Sequence, residues 1–182
     1  VNPTATRYAA ADRPLAELLD AVPASGWASP SPCAGWTAGD VVGHLVQTQR
    51  EFLTGHGADL GPAPDTASDP ASAWRSHAER VAGALADDAL PGTEFQGFFG
   101  TTTVGAAFEQ FYVWDMLVHR WDLARTVGAD AGLTDAEIDR IEAGADGFGP
   151  ALYMDGICRP ALDVPASADR PTRVLARLGR AG

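Results

Sequence analysis

Cysteine is nearly absent from the sequence. The 182 residues contain two, Cys33 and Cys158, neither of them in a CxxC pair. No disulfide framework or thiolate metal ribbon is expected, and both thiols read as structural. Basic residues are scarce as well, 13 Lys plus Arg against 24 Asp plus Glu, a formal charge of −11. Phosphate binding needs a concentrated basic face, which argues against nucleic acid as the main partner. No apolar run approaches the roughly 18 residues of a membrane span. The opening residues Val1-Asn2-Pro3-Thr4 lack the basic and apolar stretches of a signal peptide. A reducing cytoplasm is therefore the expected compartment. The chain also has no HExxH, no GxSxG elbow and no glycine-rich phosphate loop, which sets aside three common catalytic frames.

What remains is the composition of a globular chain, 46% hydrophobic and 20% charged, with a length that suits one domain over 1–182. Apolar residues recur at helical spacing over 4–22 and stop at Pro23 and Gly26. Residues 27–36 carry two prolines and a glycine and read as an ordered loop pinned to the core by Trp27 and Trp36. Thr37 with Asp40 is a capping-box variant that opens a second helix over about 38–54. A long surface connection over 55–70 precedes a third helix over 70–90. Residues 92–102, aromatic but broken by glycines, read as an extended segment without a sheet partner. The longest helix is expected over 103–127. Thr134 and Glu137 cap a fifth helix to about 146, and a short helical turn near 172–179 belongs to a C-terminal tail. The pattern is all-α: a four-helix bundle with a short additional helix and a tail.

The chemistry gathers on two of these helices. Helix 103–127 is apolar almost all round, the mark of a buried helix. Yet Asp115, His119 and Asp122 follow at i, i+4 and i+7, which places them on one stripe. Unpartnered buried charge is costly, so the stripe predicts a metal, a counter-ion or a wet cavity. The plainer alternative is a hydrogen bond between Asp115 and His119 that satisfies two buried groups. His44 borders the apolar arc of Val41, Leu45 and Phe52 on the second helix. Facing helices of a bundle are where distant side chains converge on a metal. His44, Asp115 and His119 would supply the two imidazoles and one carboxylate of a site that keeps positions open. Asp122 reads as an acceptor that orients a ligand rather than as a ligand itself. His56, at a helix end, and His77, beside the solvated Arg75, Ser76, Glu79 and Arg80, are weaker candidates. Cys33 has no base nearby in sequence and reads as a packing residue. Arg120 falls off the stripe.

The segment Pro32-Cys33-Ala34-Gly35-Trp36-Thr37 running into Asp40-Val41-Val42-Gly43-His44-Leu45, taken with Asp115-Met-Leu-Val-His119-Arg-Trp121-Asp122, resembles the DinB-like metal-binding superfamily. Within it the resemblance is to the actinobacterial branch related to the N-terminal domain of mycothiol-dependent maleylpyruvate isomerase. The tail from Phe148 to Arg180 resembles that branch too. The resemblance implies a four-helix bundle that holds a divalent metal through one histidine on the second helix and an acidic residue and histidine four apart on a later one. Those positions are His44, Asp115 and His119. Asp115 departs from the glutamate of the isomerase type, and its shorter side chain alters the reach to a metal. The isomerase carries a further C-terminal domain for which this chain leaves no room, so maleylpyruvate isomerisation is not expected to carry over.

Zinc is the metal first implied, with nickel or iron as alternatives. The activity implied is transfer of a low-molecular-weight thiol such as mycothiol to a small electrophile, because a divalent ion lowers the pKa of a thiol or water it binds. Two other readings stand beside it. One is a metal-dependent hydrolase, isomerase or cyclase of a specialised metabolite; the other is a non-catalytic, metal-dependent ligand-binding protein. The expected partners are a small-molecule substrate and, in a homodimer, a second copy of the chain.

Overall fold

Pro3 in the first turn, and the Asn2 side chain accepting from the Ala5 N–H at 2.8 Å, start helix α1 (Pro3–Asp20) in a computed structural model that describes residues 2–180. The described residues group into two compact units, one ending at Ala131 and the other beginning at Gly132. In the first unit, α2 (Ala38–Gly55) opens on a complete capping box. Thr37 Oγ1 accepts from the Asp40 N–H at 3.2 Å and the Asp40 carboxylate accepts from the Thr37 N–H at 2.8 Å. Helix α3 (Pro70–Ala84) starts on Asp69. It stops short of residue 90 because the Asp87 carboxylate takes the Ala89 N–H at 2.8 Å and begins a separate turn, α4 (Ala89–Gly92).

The stretch expected to lack a sheet partner forms an antiparallel hairpin, β1 (Glu94–Gly97) and β2 (Gly100–Thr103), with Glu94 opposite Thr103. The two strands need only each other. Phe98 and Phe99 make the turn, and Gly100 at φ +113° takes the backbone conformation that residues with a side chain avoid. The fold is thus predominantly α-helical with a small β-hairpin, which corrects the purely all-α expectation.

After the hairpin the chain is helical to residue 127, in three parts: α5 (Val104–Ala107), a π-helical turn (Phe108–Val113) and α6 (Trp114–Val127). Helices α1 and α2 each pack against both α3 and α6, which closes a four-helix bundle. Its core comes from the apolar stripes of all four, including Leu15, Leu45, Trp74 and Leu117, each at most 1% exposed. Burying side chains of this size contributes roughly 1.5–3 kcal/mol apiece. The 55–70 connection is anchored: Leu60 is buried, and Arg50 and Arg80 donate to backbone carbonyls of Leu60, Gly61 and Pro62.

In the second unit, α7 (Asp135–Phe148) starts on the capping box of Thr134 and Glu137. Helix α8 (Arg170–Arg177) is tied to it by ion pairs from Arg170 to Asp139 and Glu142 and from Arg177 to Asp146. Among the described residues no helix is long and apolar enough to cross a membrane.

Candidate metal centre

His44 sits in the second turn of α2, whose start is fixed by the capping box, and Asp115 and His119 sit one turn apart near the start of α6. Because α2 and α6 are neighbours, the three side chains meet. His44 Nε2 lies 3.0 Å from Asp115 Oδ2, and His119 Nε2 lies 3.3 Å from Asp115 Oδ1. All three offer ligand atoms within 4.8 Å of one another. Donors bound at about 2 Å in a tetrahedral shell stand roughly 3.3 Å apart, so the set has the spacing a divalent ion requires.

Asp122, fully buried, accepts from His119 Nδ1 at 2.8 Å. That hydrogen bond fixes the ring and turns Nε2 towards Asp115. A carboxylate behind a ligating imidazole is the usual means of setting its tautomer. Cys33 Sγ donates to the same Asp122 oxygen at 3.4 Å and lies 3.9 Å from His119 Nδ1. Cys33, His119 and Asp122 are a second group whose ligand atoms cluster within 4.8 Å. It lies on the Nδ1 edge of the His119 ring, where Asp122 is buried and Cys33, like His44 and Asp115, is part-exposed. Both cysteines are free thiols.

The electrostatics follow from this geometry. Burial by itself would raise the Asp115 carboxyl, but His119 and then His44 hold it well below the usual carboxylate range. Burial by itself would lower His119; Asp115, Asp122 and Cys33 together push its imidazole well above the ordinary value. Two carboxylates thus bracket one imidazole, an arrangement that stabilises positive charge whether it is carried by a proton or by a metal.

The loop before α2 does more than pin itself to the core. Ser31 N–H donates to Trp36 O at 2.8 Å and Trp36 N–H to Cys33 O at 3.0 Å, a closed turn that Gly35 completes at φ +79°. The turn lays the Trp36 ring 4.8 Å from that of His44 and 6.2 Å, stacked, from that of His119. Trp36, read from sequence as a core anchor, and Cys33, read as a packing residue, stand beside the candidate ligands. Their signal was positional: they immediately precede the cap of the helix that carries His44. His44 and Trp36 also line a cleft of about 1160 Å³ running along α2, with Gln47, Arg50 and Glu51 further down its wall.

The weaker candidates lie elsewhere. His56 Nδ1 donates to the Phe52 carbonyl oxygen at 2.8 Å near the end of α2, and its ring packs on Phe95. His77 is fully buried, not solvated, and pairs with Gln49 at 3.0 Å. Arg120 is buried in α6.

Two relatives share 30% identity over 178 residues, covering 91% of this chain and 91% of each relative: the uncharacterized proteins Rv0738 and MT0763 of Mycobacterium tuberculosis, from strains H37Rv and CDC 1551. No solved structure matches the chain. Residues 8–124 match the mycothiol maleylpyruvate isomerase N-terminal domain, a span that contains Cys33, His44, Asp115, His119 and Asp122 together with the four bundle helices almost entire. The chain belongs to that family, within the DinB-like superfamily.

Proposed function

We propose that His44, Asp115 and His119 hold a divalent metal, zinc in the first place with nickel or iron as alternatives, and that the protein transfers a low-molecular-weight thiol of the mycothiol type to a small electrophile. One observation carries the reading. Two imidazoles and a carboxylate from two helices converge, with His44 on the wall of a cleft, and among the described residues no fourth metal-ligating side chain joins that group. Three protein ligands are the number that leaves room for a reactant. Bound there, the ion would supply Lewis acidity, favouring the thiolate form of a coordinated thiol at neutral pH.

The chain's own groups do the rest. Asp122 orients His119 and raises its basicity as a donor. Asp115 reaches both imidazoles through its two oxygens. Trp36 shields one side of both imidazoles from water. The cleft beside His44 would bring a polar co-substrate past Gln47 and Glu51, groups able to bind amide and ammonium functions.

The test is a cobalt-substituted sample titrated with mycothiol and with a simple thiol. A sulfur-to-metal charge-transfer band in the wild type, absent in His119→Ala, is the expected result. A metal spectrum indifferent to both thiols would redirect the site to hydrolytic, isomerising or cyclising chemistry. Failure to take up zinc, nickel or iron would remove the metal altogether.

A further inference from the structure

A second cavity, about 310 Å³, lies between the hairpin and the bundle. Its walls include Phe52 of α2, Phe111 and Tyr112 of the π-helical turn, and Phe95, Phe98 and Phe99 of the hairpin. We infer that this cavity receives the neutral aromatic or branched-alkyl part of the small molecule that reacts at the His44, Asp115 and His119 centre. The inference rests on the metal-centred reading above and names the class of its electrophile.

Position is the first argument. Tyr112 and Phe111 precede Asp115 by three and four residues, about 5–6 Å along the helix axis, and Phe52 follows His44 by eight, about 12 Å along α2. The rings of Phe52 and Tyr112 are 4.7 Å apart, so residues of the same two segments that carry the ligand set also wall the cavity.

The lining is the second argument. No aspartate, glutamate, lysine, arginine or histidine contributes to it, so it offers no counter-charge to a charged group. An apolar cavity of about 150 Å³ accepts benzene, and this one has room for a substituted ring. Gln110 and Thr102 supply the few polar contacts that orient a guest.

The hairpin is the third. A lone two-stranded ribbon is marginal by itself, and this one is held by rings, Phe95 against Phe52 at 6.0 Å and Phe99 stacked on Phe111 at 6.2 Å. Phe98 and Phe99 nevertheless stand 70% and 52% exposed at its tip. Both rings line the cavity while remaining open to solvent. A Cβ at Gly97 would meet Thr102 Cγ2 at 2.9 Å, so a side chain there would displace part of the cavity wall.

Hydroxamates test this directly, because they bind a metal through one end and carry any substituent at the other. Acetohydroxamate and benzohydroxamate are titrated into zinc- and cobalt-loaded protein by calorimetry and absorbance. Benzohydroxamate should bind the wild type at least tenfold more tightly. The ratio should fall below about threefold in a Phe95→Ala, Phe99→Ala double variant, which leaves the helices untouched, and in Thr102→Trp, which fills the cavity; circular dichroism establishes that each variant is folded. Equal affinities in the wild type, or a phenyl gain that survives in the folded variants, overturns the cavity assignment and leaves the metal centre standing. No response to either hydroxamate overturns the metal-centred reading and this inference with it.

Discussion

Asp122 is a buried carboxylate that accepts from His119 and from Cys33, and the first of these bonds carries its effect to the imidazole. Asp122→Asn should keep the fold and weaken zinc binding 10- to 100-fold in a chelator competition, the usual consequence of losing a carboxylate behind a ligating histidine. Cys33→Ser retains a donor to Asp122 and should leave metal content unchanged by elemental analysis; loss of the metal would make Sγ a ligand. His77 is a different case. Burial first, then Arg50 and Arg80, push its pKa down to about 4, while in the unfolded chain it titrates near 6.5. Between those values the unfolded state takes up the proton and the native state does not. Stability from this group is complete above about pH 6.5 and falls on acidification towards pH 4, by up to about 3 kcal/mol. His77→Gln keeps a donor for Gln49 and should flatten that limb of a urea-denaturation series across pH; an unchanged limb assigns the acid sensitivity elsewhere. The burial of His77 was readable from spacing. Trp74 and Val81, at −3 and +4, define its face, whereas the adjacent charged residues that made it look solvated point away.

At the scale of elements, helix starts were legible and helix interiors less so. Thr37 with Asp40 and Thr134 with Glu137 gave two capping boxes from sequence alone because a cap is a local hydrogen-bond exchange over three residues. Thr37→Ala should therefore destabilise the protein by about 1 kcal/mol in chemical denaturation. It should also weaken metal binding, since the cap sets the first turns of the helix that presents His44. The hairpin was not legible. Its turn is Phe98-Phe99 rather than the Asn-Gly or Asp-Gly that signals a tight reversal, and strand pairing depends on which residues lie opposite. The π-helical turn at Phe108–Val113 was read as regular helix. Its crowded rings, with Phe108 and Tyr112 stacked 5.5 Å apart and Phe52 against both, are tertiary neighbours that periodicity does not include. Such turns recur beside functional sites, and this one lies immediately before Asp115.

For the whole molecule, a metal held between α2 and α6 would couple its binding to folding, because the unfolded chain holds the three donors far apart. Zinc at about 100 times its dissociation constant should add about 2.7 kcal/mol of stability, seen as a rise in Tm that a chelator reverses and that Asp115→Ala abolishes. A Tm indifferent to zinc would mean the donors serve only to satisfy one another. The sequence by itself determined the helical class, the bundle helices to within a few residues at most ends, and which residue types could serve as candidate ligands. Those features depend on period, capping and residue type, all local properties of the chain. The tertiary structure decided the rest: that His44 meets Asp115 at 3.0 Å, that Trp36 and Cys33 join the site, that Leu60 is buried, and that the hairpin pairs. Each of these depends on a distance between segments remote in sequence, and such distances are set only when the apolar faces of the helices find one another and pack.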